Sequence, residues 1–76
     1  MRIAYLDASL AALDSDRSYQ LWTLDSGTPV SLGLLGSSPR LVAVNIGTVH
    51  SLAITPEPVG GSVRPTSNPV AAGELS

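Results

Sequence analysis

The chain has 76 residues, 43% of them hydrophobic and 13% charged, with a formal net charge of -2 and no cysteine. That excludes disulfides and thiolate metal sites and leaves the core of one small domain to Leu, Val, Ile and Ala. Four arginines against six carboxylates make no phosphate-tracking surface, and Tyr5, Tyr19 and Trp22 are too few aromatics to stack bases, so no nucleic-acid partner is expected.

Taken in chain order, short apolar runs alternate with Gly, Pro, Ser and Asp, which is the rhythm of a small antiparallel sheet. The expected fold is all-β, a small antiparallel β-sandwich-like domain of about five strands. Residues 2–6 read as the first strand, with Ile3 and Tyr5 on one face, Ala4 and Leu6 on the other, and Asp7 ending it. Residues 8–14 are open to two readings. Ala8, Leu10, Ala11, Ala12 and Leu13 can form two helical turns capped by Asp7 or Ser9, or an extended connection that tucks Leu10 and Leu13 against the sheet. Residues 14–18 are a solvated turn in either case.

Residues 19–24 place Tyr19, Leu21 and Thr23 on one side and Gln20, Trp22 and Leu24 on the other. Large apolar groups on both faces predict a central strand with the Trp22 indole in the core. A turn follows at 25–28, where Gly27 is expected at positive φ, and Pro29 lies just ahead of the next strand because it cannot donate to a ladder. In residues 30–35 strict alternation sends Val30, Leu32 and Leu34 to the core and Ser31 and Gly33 away from it.

Two further runs, 41–46 and 49–55, flank Gly47 and read as a hairpin in which Val42, Val44 and Ile46 oppose His50, Leu52 and Ile54. The longest stretch without a formal charge, 41–56, is interrupted by polar residues and falls short of the roughly 20 apolar residues that span a bilayer. The first residues lack the basic and apolar segments of a signal peptide, so the expectation is either a cytoplasmic chain or a part of a longer exported one. Residues 56–69 carry four prolines and two glycines and form a Pro/Gly-rich loop, after which 70–72 can make a short edge strand.

Catalytic readings of single residues are weak. His50 is the lone histidine and reads as a structural or surface residue, and Asp14 with Asp16 reads as a polar turn. No Gly-x-Ser-x-Gly surrounds a serine, and no lysine follows Gly60-Gly61-Ser62, so neither a nucleophile elbow nor a phosphate cradle is present. Glu57 carries a structural expectation: between Pro56 and Pro58 its carboxylate would accept the Gly60 and Gly61 amides or pair with Arg64.

Two segments carry a family resemblance. Tyr19-Gln20-Leu21-Trp22, followed by Asp25, Gly27 and Pro29-Val30-Ser31-Leu32-Gly33-Leu34-Leu35, resembles a strand, turn and strand of the C-terminal domain of anti-sigma-K factors of the RskA type. Leu52-Ala53-Ile54-Thr55, running into Glu57-Pro58, Gly60-Gly61-Ser62, Pro65-Thr66, Pro69-Val70 and Gly73-Glu74-Leu75, is similar to the closing signature of that domain. The resemblance covers roughly residues 17–75. Ser67-Asn68 stands where the family has a single Gly, with Asn68 expected to supply positive φ, and Pro56 stands where a strand residue is usual, so the strand is expected to end early.

The resemblance implies a membrane protein in three parts, of which this chain is the outer one: a sensory, regulatory domain that needs no catalytic residue and no cofactor. It implies one domain over 1–76, shortened at its N-terminal side, extracytoplasmic, and joined in the parent protein to a transmembrane helix and a cytoplasmic sigma-binding domain. Its partners would be the rest of that chain, a site-specific protease and, through an open sheet edge, a second copy, with no sigma factor touching this part directly. Two competing readings are a peptide-binding module acting by strand addition and a small hydrolase.

Overall fold

The computed structural model describes residues 3–7, 10–25, 27–39, 41–45 and 50–74. Among the described residues there are six strands and no helix: β1 (Ile3–Asp7), β2 (Arg17–Thr23), β3 (Val30–Gly36), β4 (Leu41–Asn45), β5 (Ser51–Pro58) and β6 (Ala71–Glu74). The all-β expectation holds. One antiparallel sheet joins β1 and β4, and a second has the antiparallel order β3-β2-β5-β6. In the first sheet Asp7 continues β1 by pairing with Leu41 rather than ending it.

Strand β2 is central because both of its faces need cover. Gln20 opposes Thr55, Leu21 opposes Ile54 and Trp22 opposes Ala53, so side chains alternate between two differently furnished surfaces. Tyr19, Leu21, Leu52 and Ile54 form a buried cluster on one face, against which Leu10, Leu13, Leu32, Leu35 and Ala71 pack. Each such aliphatic side chain removed from water contributes about 1.5–3 kcal/mol. Residues 10–14 have no helical turn, and of the two readings the extended one is realised: the Leu13 amide donates to the Ser37 carbonyl at 2.8 Å while Leu10 and Leu13 lie on the cluster. Ala8 and Ser9 lie outside the described residues. The polar turn is shorter than expected, because Arg17 and Ser18 already belong to β2 and Ser18 is buried.

Strand β3 departs from simple alternation. Between Tyr19 and Gln20 its register jumps from Gly36 to Leu34, and between Leu21 and Trp22 from Gly33 to Ser31. Leu35 and Leu32 are thereby the extra residues of two irregularities, and these two reach the buried cluster. Val30 and Leu34, expected in the core, are instead about half exposed. Gly33 and Gly36, with φ of 135° and 88°, permit the two shifts.

The hairpin expected around Gly47 does not form. Strand β4 pairs with β1 and β5 with β2 and β6, while 46–49, including Ile46, lie outside the described residues. The local pattern was outweighed by complementarity: Leu52 and Ile54 complete the Tyr19–Leu21 cluster, and Thr55 and Glu57 on the opposite face meet polar partners. His50 is exposed and precedes β5.

Strand β5 also runs on through Pro58 instead of stopping early. The Ile54 carbonyl accepts the Val70 amide at 2.8 Å, so Ile54 aims its backbone at the β6 flank, and alternation sends the Pro56 nitrogen to that same flank. Strand β6 pairs only with Ser51 to Ile54, so no ladder donor is needed at Pro56.

Candidate functional site

The face of the sheet opposite the leucines carries Gln20, Trp22, Thr55 and Glu57, all buried, with Trp22, Thr55 and Glu57 at 0% exposure. A buried carboxylate is costly unless donors surround it. Here they do. Thr55 Oγ1 donates to Glu57 Oε2 at 2.5 Å, Ser62 Oγ donates to Oε1 at 3.0 Å, and the Thr66 amide donates to both oxygens at 3.0 and 3.2 Å. The Thr66 hydroxyl also donates to Oε1. The Trp22 indole N–H in turn donates to Thr55 Oγ1 at 2.8 Å, so the indole, the threonine and the carboxylate form one hydrogen-bonded chain along this face of the sheet.

Burial alone would raise the Glu57 pKa, but the hydrogen bonds from Thr55, Thr66 and Ser62 outweigh it and hold the carboxyl below its ordinary value. The donors differ from those the sequence suggested. The Gly61 amide closes a turn onto the Pro58 carbonyl at 2.7 Å, Gly60 and Arg64 are exposed, and Ser62 and Thr66 take their place around the carboxylate.

A second pin lies one strand away. Gln20 Oε1 accepts the Ser62 amide at 2.9 Å, and its Nε2 donates to the Ser62 carbonyl at 3.0 Å and to Ser31 Oγ at 2.7 Å. One side-chain amide thus engages both backbone groups of Ser62, as a neighbouring strand would. Gly61 makes the approach possible. Its φ is +84°, and a Cβ there would stand 3.1 Å from Leu34 Cδ2 and 3.4 Å from Gln20 Oε1. Residues 59–70 are therefore laid on the sheet by two polar side chains, with the Val59 and Val70 amides bonded to the Asp16 and Ile54 carbonyls at the two ends. Among the described residues, every buried side-chain nitrogen and oxygen finds a partner.

The other residues of the sequence signature serve the frame of this site. Tyr19 and Leu21 sit in the leucine cluster, and the Tyr19 hydroxyl donates to the Ala11 carbonyl at 2.6 Å. Pro29 is half-buried just before β3, Pro58 ends β5, and Pro65 is half-buried next to Thr66. Gly27 takes the expected positive φ of 83°, whereas Asn68 does not, as no described residue other than glycine has positive φ.

The role of one turn residue, Asp25, escaped the sequence reading. The Asp25 carboxylate accepts the His50 and Ser51 amides at 2.7 and 2.8 Å, fixing where β5 begins. Its signal was an aspartate at the start of the turn that follows a strand, a position where short carboxylates cap backbone amides. Among the described residues no group of three or more His, Cys, Asp or Glu could hold a metal ion, and no helix is long and apolar enough to cross a membrane.

Comparison with known proteins adds to this picture. A family model described as "Anti-sigma-K factor rskA, C-terminal" matches residues 1–70. The chain is 39% identical over 74 residues to an "Uncharacterized protein in phr 5'region" of Streptomyces griseus, covering 92% of this chain and 31% of that protein. It is 48% identical over 54 residues to "Anti-sigma-K factor RskA" of Mycobacterium sp. (strain KMS), covering 64% of this chain and 22% of that protein, and equally similar to the protein of that description from strain JLS. The chain thus spans less than a third of the length of these relatives. No solved structure matches.

Proposed function

The chain belongs to the anti-sigma-K factor family through its C-terminal domain, and from that premise we propose that it is the outer, non-catalytic regulatory domain of a membrane-anchored anti-sigma factor. On this reading residues 1–76 form one domain on the extracytoplasmic side. The parent protein holds a sigma factor on the other side of the membrane, and stepwise proteolysis that begins on the outer part releases it. This domain touches neither the sigma factor nor nucleic acid. The signature residues Tyr19, Gln20, Leu21, Trp22, Pro29, Glu57, Pro58, Gly60, Gly61, Pro65 and Thr66 are framework residues, and no cofactor is used.

The observation that supports this reading is the Pro/Gly-rich cover. Residues 59–70 lie over the central strands through hydrogen bonds that converge on Gln20 and Glu57, so the cover can be lifted while the leucine face stays packed. Elements that move in regulation come from the low-stability end of a fold. A sensory domain needs that property and no reactive side chain.

The test is a reporter driven by the cognate sigma factor in cells carrying the parent gene. Glu57→Gln, which loosens the cover, is expected to raise the uninduced reporter several-fold. An unchanged reporter from a variant whose melting temperature has fallen would overturn the reading. Alkaline phosphatase fused after residue 76 reads the side of the membrane, and activity is expected only if this domain lies outside.

Self-association through a sheet edge is favoured by one observation. The edge strand β3 is interrupted by two register shifts, whereas β6, the opposite edge, pairs with β5 in unbroken register. A second copy adding along β6 would give a symmetric dimer, and a monomeric mass by light scattering at high concentration would rule it out.

A further inference from the structure

We propose that the Val63–Arg64 peptide bond is a cleavage site for an endoprotease that accepts a small aliphatic residue on the acyl side, and that the Gln20 and Glu57 pins are the gate on it. The proposal rests on the reading of this domain as a target of regulated proteolysis.

Val63 is 92% exposed, far more than any other large apolar side chain described. It stands in an arch whose two feet are tied down. Ser62 Oγ and the Thr66 amide nitrogen each lie within 3.2 Å of the same atom, Glu57 Oε1, so they are no farther apart than twice that distance. Extended chain would separate residues 62 and 66 by roughly 13 Å. Endoproteases bind substrate as an added strand, so the arch must open before the bond can enter a cleft. Gln20 adds to the barrier by occupying both backbone groups of Ser62, which such a cleft would itself engage.

The neighbouring bonds are poorer targets. Arg64 precedes Pro65, whose ring nitrogen has no N–H and resists the geometry of cleavage, and Pro58 and Pro69 protect the bonds ahead of them in the same way. Hydrolysis at Val63–Arg64 adds one water across the amide, leaving a carboxylate on Val63 and an amino group on Arg64. The piece 64–76 would then be held by the Thr66 bonds, by the Val70 amide on the Ile54 carbonyl and by the four-residue strand β6. Once cut, β6 can leave β5, and the cover over Glu57 leaves with it.

The experiment is digestion of the folded chain with pancreatic elastase, which prefers small aliphatic residues, with early fragments identified by mass spectrometry. Fragments 1–63 and 64–76 are expected first, and Val63→Asp should abolish them. Glu57→Gln should speed this cut roughly tenfold by removing the charged acceptor. Because Glu57→Gln bears on the sheet as well, Thr66→Val provides a second opening from the loop side, with Trp22 fluorescence reporting that the sheet is intact. A first cut elsewhere, or equal rates in the wild type and both pin variants, overturns the proposal. If the gate operates in the tube while Glu57→Gln leaves the sigma-dependent reporter unchanged in cells, the regulatory reading fails and the gate stands.

Discussion

The two faces of the β3-β2-β5-β6 sheet are covered by opposite chemistries. On one face Tyr19, Leu21, Leu52 and Ile54 are joined by Leu32, Leu35 and Ala71 of the same sheet and packed by Leu10 and Leu13 of the preceding connection. On the other, which carries Gln20, Trp22, Thr55 and Glu57, residues 59–70 are bound through hydrogen bonds from Gln20 and Glu57 to Ser62 and Thr66. The apolar cover is non-directional and scales with the area removed from water. The polar cover is directional and high in stakes, because a network that loses one member leaves the others buried and unsatisfied. One domain thus combines a permanent face with a conditional one.

The comparison is broken most severely from the permanent side. Leu21→Ala empties a position 1% exposed at the centre of the cluster and should cost about 2–5 kcal/mol. Much of the margin of so small a domain would be gone. Urea denaturation followed by Trp22 fluorescence should show both faces lost in one transition. Survival of the wild-type midpoint would mean that the leucines do not carry the fold.

Glu57→Gln comes next, at about 1–3 kcal/mol, because donors from Thr55, Ser62 and Thr66 would converge on a group that has lost its charge and one acceptor. The same residue gives the conditional face its acid limit. The folded pKa lies below the ordinary value near 4.5, so the contribution is complete above that value and is lost as pH falls through the folded pKa. The wild type should therefore lose stability on acidification below about pH 4.5 by more than Glu57→Gln does. Parallel melting curves for the two chains would dismiss the assignment.

Gly61→Ala sharpens the contrast from the loop side. The residue has φ of +84° and a Cβ there would press on Leu34 Cδ2 at 3.1 Å, so the cost is about 1 kcal/mol or more. It should fall on the conditional face alone, with hydrogen exchange accelerated at the Ser62 and Thr66 amides and unchanged at Leu21. Equal acceleration at all three would show that the two covers open together.

What the sequence disclosed follows the same division. The period-two pattern of residues 19–24 located the central strand, and the prolines and glycines of 56–69 marked the covering loop. The Glu57 carboxylate was legible as a tether because it sits between two prolines, but its donors were not. Ser62 and Thr66 become neighbours only through the path of the loop, and that path is set by Gln20 one strand away. The hairpin around Gly47 failed for a related reason: local alternation cannot tell which strand a run will pair with, and β5 complements β2 on both faces. In β3 the glycines at 33 and 36 were the unread signal, since glycines inside a strand mark register shifts; Leu32 packs on the core as its alternation predicted, but Leu35 joins it while Val30 and Leu34 do not.

The smallest expected effect tests whether the permanent face is purely apolar. Its connection 10–14 is also tied by one side-chain hydrogen bond, from the Tyr19 hydroxyl to the Ala11 carbonyl at 2.6 Å. Tyr19→Phe keeps the ring in the cluster and removes only that bond, for about 0.5–1.5 kcal/mol. If Leu10 and Leu13 hold the connection by contact, exchange at the Leu13 amide, bonded to Ser37 at 2.8 Å, should change little beyond that global loss. Release of that amide with the rest of the sheet still protected would mean that this cover, like the opposite one, hangs on a polar pin, and the distinction between the two faces would be one of degree.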